Sequence, residues 1–326
     1  MIVNTSQDLL KILSESKKIN VKIGTVNGTY DLLHDGHVDA INFAYINCDQ
    51  LIILINSDKS VRLYKGPSRP IENALKRAKN IEELFPSSLI YVFDELNPLN
   101  ILEKIKPSIH FIGPDWGKKT LEQQLVEKNG GVVKFINKKY EISTSEILKN
   151  IGINDKFNRA VFLDRDGTII KDKNYLTDIE NIEFFPDIEK ILLKLLNLGY
   201  LLFIVSNQSM VARKISTKKN ALQINKYIVN QLNDMGVVIT ESYLDFSHPN
   251  KPSKTRKPNT GFLEIAAYKH KLALKNSWMI GDKESDILFG KRGNTKTIQI
   301  IGSHKISEFA DFTIKDINEI NKIIKK

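Results

Sequence analysis

Two short stretches of this chain set residue types at spacings that suit phosphate chemistry. In the first, His34 and His37 lie three positions apart with Gly36 between them, so both imidazoles can face one phosphate group. The run before them, Asn27, Gly28, Thr29 and Tyr30, leaves an apolar strand and leads to a helix start. That arrangement aims backbone N–H groups and the helix dipole at an anion, and Gly28 permits close backbone approach. When a nucleotidyl group is transferred the departing pyrophosphate gains charge, and two fixed donors at that point stabilise the transition state. In the second stretch, Asp164 and Asp166 stand two apart at the end of another apolar strand, followed by Gly167 and Thr168. Both carboxylates can reach one metal ion there, and the glycine lets the chain turn away. An Asp-x-Asp alone is common in acidic turns and decides little.

The elements that must position these residues alternate short apolar strands with amphipathic helices in both halves, which predicts parallel sheets with crossover helices. In the first half, 22–26, 51–56, 90–93, 110–113 and 132–136 read as strands, and 38–45, 74–84 and 99–105 as helices. The second half restarts the pattern, with strands at 160–163, 201–205 and 278–280 and long helices at 188–198 and 219–235. A polar break at 150–155 separates the halves, so two domains are expected, 1–152 and 153–326. The fold class expected is α/β, with two Rossmann-like parallel-sheet domains.

The His34-Asp35-Gly36-His37 stretch resembles the H-x-G-H signature of the cytidylyltransferase-like superfamily, over residues 20 to 150. Lys65 and Arg69, in the run Lys-Gly-Pro-Ser-Arg-Pro, can neutralise triphosphate charge, or are solvated loop cations. Ser143, Thr144 and Ser145 open a further helix; they are similar to the family's second phosphate-binding helix terminus, with Ser145 in place of a threonine. Asn27-Gly28, Asn56-Ser57-Asp58 and the Lys65–Pro70 run resemble bacterial heptose-phosphate adenylyltransferases. By contrast, Gly113-Pro114-Asp115-Trp116 is similar to an element of glycerol-3-phosphate cytidylyltransferases, which brings Asp115 into the nucleotide-binding set. An arginine that precedes the second phosphate element in cytidylyltransferases stands here as Lys138. The resemblance therefore favours ATP, with CTP the alternative, and implies a Mg²⁺ ion and a homodimer through this domain.

Asp164-Arg165-Asp166-Gly167-Thr168 resembles the first motif of the haloacid dehalogenase superfamily, and three more motifs follow in order. Ser206 and Asn207 end a strand as in the second, Arg256-Lys257-Pro258 matches the third, and Gly281-Asp282 the fourth. The resemblance implies that Asp164 attacks phosphorus, that Asp166 acts as acid and then base, and that Lys257 faces the phosphoryl oxygens. It places Mg²⁺ on Asp164, Asp166 and Asp282, and phosphate on Ser206, Asn207, Arg256 and Lys257. The Ser-Asn-Gln-Ser, Arg-Lys-Pro-Asn-Thr-Gly and Gly-Asp-Lys runs look like the histidinol-phosphatase and heptose-bisphosphate phosphatase subgroup, which has almost no cap. That subgroup carries a zinc loop, whose aligned positions here are Asp245, Ser247, Ser253 and Thr255. Without thiolates no structural zinc is expected, and His248 is read as a surface or substrate-loop residue.

Composition excludes several other classes. No apolar run approaches the roughly 20 residues that span a bilayer, and the first residues lack the pattern of a secretory signal. The single cysteine, Cys48, makes no intrachain disulfide and fits a reducing cytoplasm. The formal charge of +10 is spread along the chain, so it reads as a solvated basic surface rather than a nucleic-acid site. The partners expected are therefore small molecules, an NTP and sugar phosphates. The leading expectation is a bifunctional enzyme that dephosphorylates a sugar bisphosphate of the heptose 1,7-bisphosphate type and attaches a nucleotide to the remaining phosphate. The alternatives are a CTP-dependent enzyme acting on a polyol or triose phosphate, and a chain in which one domain is catalytically inactive and serves as a binding module.

Overall fold

The computed structural model describes residues 1–18, 21–113, 120–136, 157–302 and 304–325. The chain forms two compact units, 1–156 and 157–326.

In the first unit the elements run β1 (Ile2–Val3), α1 (Ser6–Lys18), β2 (Ile23–Gly28), α2 (Asp35–Tyr45), β3 (Gln50–Asn56), α3 (Asp58–Lys65), α4 (Ala74–Leu84), β4 (Leu89–Phe93), α5 (Leu99–Ile105), β5 (Ile109–Ile112), α6 (Leu121–Lys128) and β6 (Val132–Phe135). Six parallel strands lie in the order β1-β4-β3-β2-β5-β6. Strand β3 is apolar from Leu51 to Ile55 and buried throughout, because helices cover both faces of a parallel sheet. The core splits accordingly. One cluster, with Ile41, Ile53, Ile81 and Phe111, lies on one face, and another, with Leu9, Ile52, Leu54 and Leu102, on the other. β2 sits between β3 and β5, where the winding reverses, and such a switch point leaves a crevice beyond the strand ends.

The second unit repeats the principle with β7 (Arg159–Leu163), α7 (Ile188–Asn197), β8 (Tyr200–Asn207), α8 (Lys218–Asp234), β9 (Glu241–Asp245), α9 (Gly261–His270), β10 (Trp278–Gly281), α10 (Glu284–Arg292), β11 (Lys296–Ile300) and β12 (Phe312–Ile314). Its six strands are parallel in the order β12-β11-β10-β7-β8-β9. Helix α7 buries Ile188, Ile191, Leu192 and Leu195, a stripe at helical spacing that seats it on the sheet. β7 lies between β8 and β10, so this sheet also has its switch point at the strand carrying the candidate site.

The fold expectation is met: both domains are parallel α/β sheets. The sequence reading missed β1, β9 and β12, which lie at sheet edges where the apolar signal is weak, and β11, whose buried run is interrupted by the polar Thr297 and Gln299. It also left the segment before Lys65 as loop. That segment is helix α3, started by Ser57, whose side chain accepts a hydrogen bond from the Ser60 amide. Lys65 thus stands in the last turn of a helix.

Candidate functional site

Strand β2 delivers the chain to the first site through a tightly tied loop. Gly28 is needed there, since a Cβ would lie 2.8 Å from the Tyr30 ring. Tyr30 and Leu32 adopt left-handed backbone (φ 49° and 54°), a conformation that persists only when the surroundings impose it. Those surroundings are two buried arginines. Arg69 pairs with Asp31 at 2.6 Å, both side chains being almost wholly enclosed. The other Asp31 oxygen accepts from the amides of Ile71 and Glu72. Arg77 donates to the carbonyls of Thr29 and Glu72 and to the Asp58 carboxylate. The loop is therefore fastened to α3 and to the start of α4.

What this fastening presents is the histidine pair. His34 occupies the N-cap position of α2 in extended backbone, and His37 follows one turn in. Their rings stack with centroids 3.7 Å apart, and Tyr30 meets the His37 ring edge-on. The Nδ1 atom of each ring is buried with no hydrogen-bond partner among the described residues. Burial, with the charges of His34 and Lys65, depresses His37 to about 3. His34 is also depressed, by burial first, with Asp35 opposing and Lys65 adding to the shift. Two neutral imidazoles at a helix N-terminus, beside the Lys65 ammonium, form a site that gains from an incoming anion. Lys65 reaches the loop itself, donating to the Thr29 hydroxyl at 2.7 Å.

Of the residues the sequence assigned to nucleotide binding, Asn27, Gly28, Thr29, Tyr30, His34, His37 and Lys65 come together around the end of β2. Arg69 lies behind the loop, engaged with Asp31 rather than facing solvent. Asp115, Lys138, Ser143, Thr144 and Ser145 lie outside the described residues. Arg77 was not singled out in the sequence; an arginine inside an amphipathic helix carries no mark that its charge is buried.

In the second unit, a cavity of about 370 Å³ opens beyond the ends of β7, β8 and β10. Asp164 lies on its floor, and Lys257 Nζ donates to it at 2.6 Å. The same ammonium contacts Asp286 at 2.6 Å and the Val205 carbonyl at 2.6 Å. Asp164, Asp282 and Asp286 each offer an oxygen within 4.8 Å of the others. Gly167 makes room for this cluster: its φ is +88°, and a Cβ would lie 2.4 Å from an Asp282 oxygen.

Three carboxylates crowd a buried place around the Lys257 ammonium, with the Lys283 charge also acting on Asp164 and Asp282. The titration shifts report that strain. Burial, helped by the Asp164 and Asp286 charges, pushes Asp282 up to about 7. Asp164 is raised by burial even against the Lys257 charge, because Asp286 and Asp166 oppose its ionisation. One oxygen of Asp282 is buried with no hydrogen-bond partner among the described residues. An orphaned oxygen in an anionic cluster of hard ligands fits a divalent cation such as Mg²⁺.

The Asp166 side chain, expected among the metal carboxylates, lies outside that group of three in the structure. It accepts from Arg165, at 3.0 and 3.1 Å, and from the Gln208 amide at 2.9 Å, with Ser206 at 3.4 Å. The third carboxylate of the cluster is Asp286. Asn207 does not face the cavity with its amide alone; it exchanges two hydrogen bonds with the Lys257 backbone and so fixes the lysine's loop. Gln208 stands inside the Ser-Asn-Gln-Ser run but was given no role there, and His304, whose Nε2 lies 3.4 Å from Asp282, carried no signal in the sequence.

The four positions aligned with the zinc loop converge as well. Asp245 accepts from the hydroxyls of Ser253 (2.8 Å) and Thr255 (2.6 Å), and from both the hydroxyl and the amide of Ser247. Hydroxyls bonded to one carboxylate are not the thiolate and imidazole set that a closed zinc site takes.

Comparison with known proteins matches these two geometries separately. Residues 25–150 fit the family model described as cytidylyltransferase-like, and residues 254–315 the one described as HAD-hydrolase-like. The bifunctional protein HldE of Nitrobacter hamburgensis is 35% identical over 152 residues, 46% of this chain and 31% of that protein. That of Rhodopseudomonas palustris is 38% identical over 137 residues, 42% and 28% of the two chains. The chain thus spans about a third of the length of the curated relatives it matches. Among solved structures, a HAD-like phosphatase from Mesorhizobium loti, described as putative, overlaps 52% of this chain and 87% of its own, at TM-score 0.46 and 26% identity. A D,D-heptose 1,7-bisphosphate phosphatase from B. bronchiseptica, complexed with magnesium and phosphate, overlaps 50% and 95% at TM-score 0.45 and 18% identity. With the histidine pair on one switch point and the aspartate cluster on the other, the family matches make the N-terminal domain cytidylyltransferase-like and the C-terminal domain HAD-like.

Proposed function

We propose that the chain is a bifunctional enzyme of nucleotide-sugar biosynthesis. Its C-terminal domain dephosphorylates a sugar bisphosphate of the heptose 1,7-bisphosphate type. Its N-terminal domain then transfers a nucleotidyl group from an NTP, preferentially ATP, to the sugar phosphate and releases pyrophosphate. The observation that carries the reading is the clustering of Asp164, Asp282, Asp286 and Lys257, in a chain whose other domain pairs His34 with His37 at a helix start. The sugar rests on the resemblance of the motif runs, and the order of steps on their chemistry: one reaction leaves the phosphate that the other consumes.

In the phosphatase, the Asp164 carboxylate attacks phosphorus and the P–O bond to the sugar breaks. The leaving oxygen takes a proton from Asp166, held over the cavity by Arg165 and Gln208. Asp166 then accepts a proton from water, which hydrolyses the aspartyl-phosphate and frees Asp164. Lys257 neutralises phosphoryl oxygens while remaining tied to Asp164 and Asp286. Asp164, Asp282 and Asp286 would hold a Mg²⁺ ion, which when bound would screen the charge between nucleophile and substrate. In the transferase, a sugar phosphate oxygen attacks the NTP α-phosphorus and pyrophosphate departs toward His34, His37 and Lys65, whose donors take up the charge it gains. A Mg²⁺ ion with the NTP, a homodimer through this domain and a cytoplasmic location belong to the same proposal. No described helix is long and apolar enough to cross a membrane.

The test is a coupled assay of the chain with heptose 1,7-bisphosphate and ATP or CTP, products being read by mass. The expected product is an ADP-heptose; His37→Ala stops pyrophosphate release and Asp164→Asn stops phosphate release. Transfer by His37→Ala at the wild-type rate, or phosphate release by Asp164→Asn, would sink the corresponding site. A CTP-only product with a polyol phosphate would replace the substrate.

A further inference from the structure

Between the first phosphatase motif and helix α7 the chain makes a hairpin beside the cavity, and Tyr175 near its tip is 42% exposed while lining that cavity. Two short-range bonds shape the tip. The Asn174 amide donates to an Asp172 oxygen at 2.8 Å, and the Tyr175 amide to the Lys173 carbonyl at 2.9 Å. Between them Asn174 takes left-handed backbone (φ 65°), which asparagine adopts more readily than most residues bearing a Cβ. Longer ties hold the tip from both sides. Upstream, the other Asp172 oxygen accepts from Lys283 Nζ at 2.8 Å, next to Asp282. Downstream, the Thr177 carbonyl accepts from the side-chain amide of Asn220, in helix α8, at 2.8 Å. At the base of the hairpin Ile170 pairs with Phe184, and the Lys171 amide donates to the Glu183 carbonyl. Leu176, the next residue, is buried in the core of this unit. A fixed backbone thus holds an aromatic ring out at the cavity rim.

The cavity has two chemically different regions. Its floor, with Asp164, Asp286 and Lys257, is charged and suits the reacting phosphoryl group. The rim at the hairpin sets the Tyr175 ring beside the Asn174 amide and the Asp172 carboxylate. An apolar ring and a carboxylate do not attract a phosphoryl group, so this rim suits the alcohol that leaves. A closed sugar ring has a face of C–H bonds and a margin of hydroxyls, which match an aromatic face with an amide and a carboxylate at its edge. An open-chain polyol carries the same hydroxyls but no fixed apolar face, and loses more rotational freedom in lying flat.

We propose that Tyr175, with Asn174 and Asp172, forms a subsite for the ring of a cyclic sugar phosphate, the ring face lying on the tyrosine and hydroxyls meeting the two polar side chains. This rests on the phosphatase reading above and chooses between its substrate classes: a cyclic sugar phosphate is preferred to an acyclic polyol or triose phosphate.

The experiment is steady-state phosphate release by the full chain with Mg²⁺, comparing glucose 6-phosphate with sorbitol 6-phosphate. The two probes share carbon number and phosphate position, and differ in whether the sugar closes into a ring. The wild-type chain is expected to show a kcat/KM about three- to tenfold higher for the closed ring, the range of a single aromatic contact. Tyr175→Ala is expected to bring that ratio to about one by raising KM for glucose 6-phosphate, and Tyr175→Phe to keep it, since the aromatic face is what binds. A wild-type ratio near one, equal losses for both probes in Tyr175→Ala, a loss through kcat alone, or Tyr175→Phe behaving as Tyr175→Ala overturns the inference. So does release from heptose 1,7-bisphosphate with neither hexose probe cleaved, and the phosphatase reading then stands. No release from any of the three overturns the phosphatase reading, and this inference with it.

Discussion

At the scale of residues, the two sites differ in how their charge is kept in check. The histidines are neutral because burial and Lys65 disfavour their protonation. For His37 the folded value of about 3 lies below the ordinary 6.5, so the folded state binds fewer protons than the unfolded one on that interval. Its share of stability is complete above pH 6.5 and is lost as pH falls toward 3. An NMR titration of the free chain should show the His37 ring unchanged from pH 8 down to 5, and a triphosphate should raise its pKa; a ring titrating near 6.5 would contradict this burial. In the other site it is carboxylates that are unsettled, and Asp286 is the member only the structure brought forward. Asp286→Asn is expected to weaken Mg²⁺ by about 10- to 100-fold, read from phosphate release against Mg²⁺ concentration. An unchanged dependence would remove Asp286 from the cation site. Asp164, Asp282 and Lys257 were legible from their motifs, because each follows an apolar strand or sits in a distinctive run. Arg77, Gln208 and His304 were not, because what matters about them is which distant group they touch.

At the scale of elements, what decides the first site is the fastening of a strained loop. Asp31 and Arg69 are 38 positions apart, both enclosed, and joined at 2.6 Å. A buried pair contributes little net stability compared with apolar residues, yet removing one partner strands the other charge, at about 3–5 kcal/mol. Arg69→Ala should therefore lower the stability of the first unit by that amount in denaturant unfolding. A loss of under about 1 kcal/mol is the value of an exposed pair and would place Arg69 at the surface, free for a phosphate. The strands and long helices were readable, since periodicity and apolar runs are local properties: α4 and α5 begin and end as read. Helix α3 was not, because its sequence is dominated by Lys59, Arg62 and Lys65 and, of its buried residues Ser60, Val61 and Leu63, just two are apolar.

At the scale of the whole molecule, each unit has its own core, its own sheet and its own switch point. The activities should therefore be separable by substitution. Asp164→Asn in the full chain is expected to leave nucleotidyl transfer to a supplied sugar 1-phosphate within about twofold of wild type, because each site is built within a unit that has its own core. His37→Ala should likewise spare phosphate release. A loss of both activities from either substitution would mean that the sites are coupled. By itself the sequence determined the class of fold and marked the residues on which the two proposed reactions rest, since strand ends, glycine turns and paired polar side chains are written locally. Tertiary structure alone decided that Asp286 rather than Asp166 completes the carboxylate cluster, that Arg69 lies behind the histidine loop, and that Asp245 gathers the hydroxyls beside Arg256. The physical reason is common to all three. A charge acts through the groups that surround it, and those groups come from parts of the chain that only folding brings together.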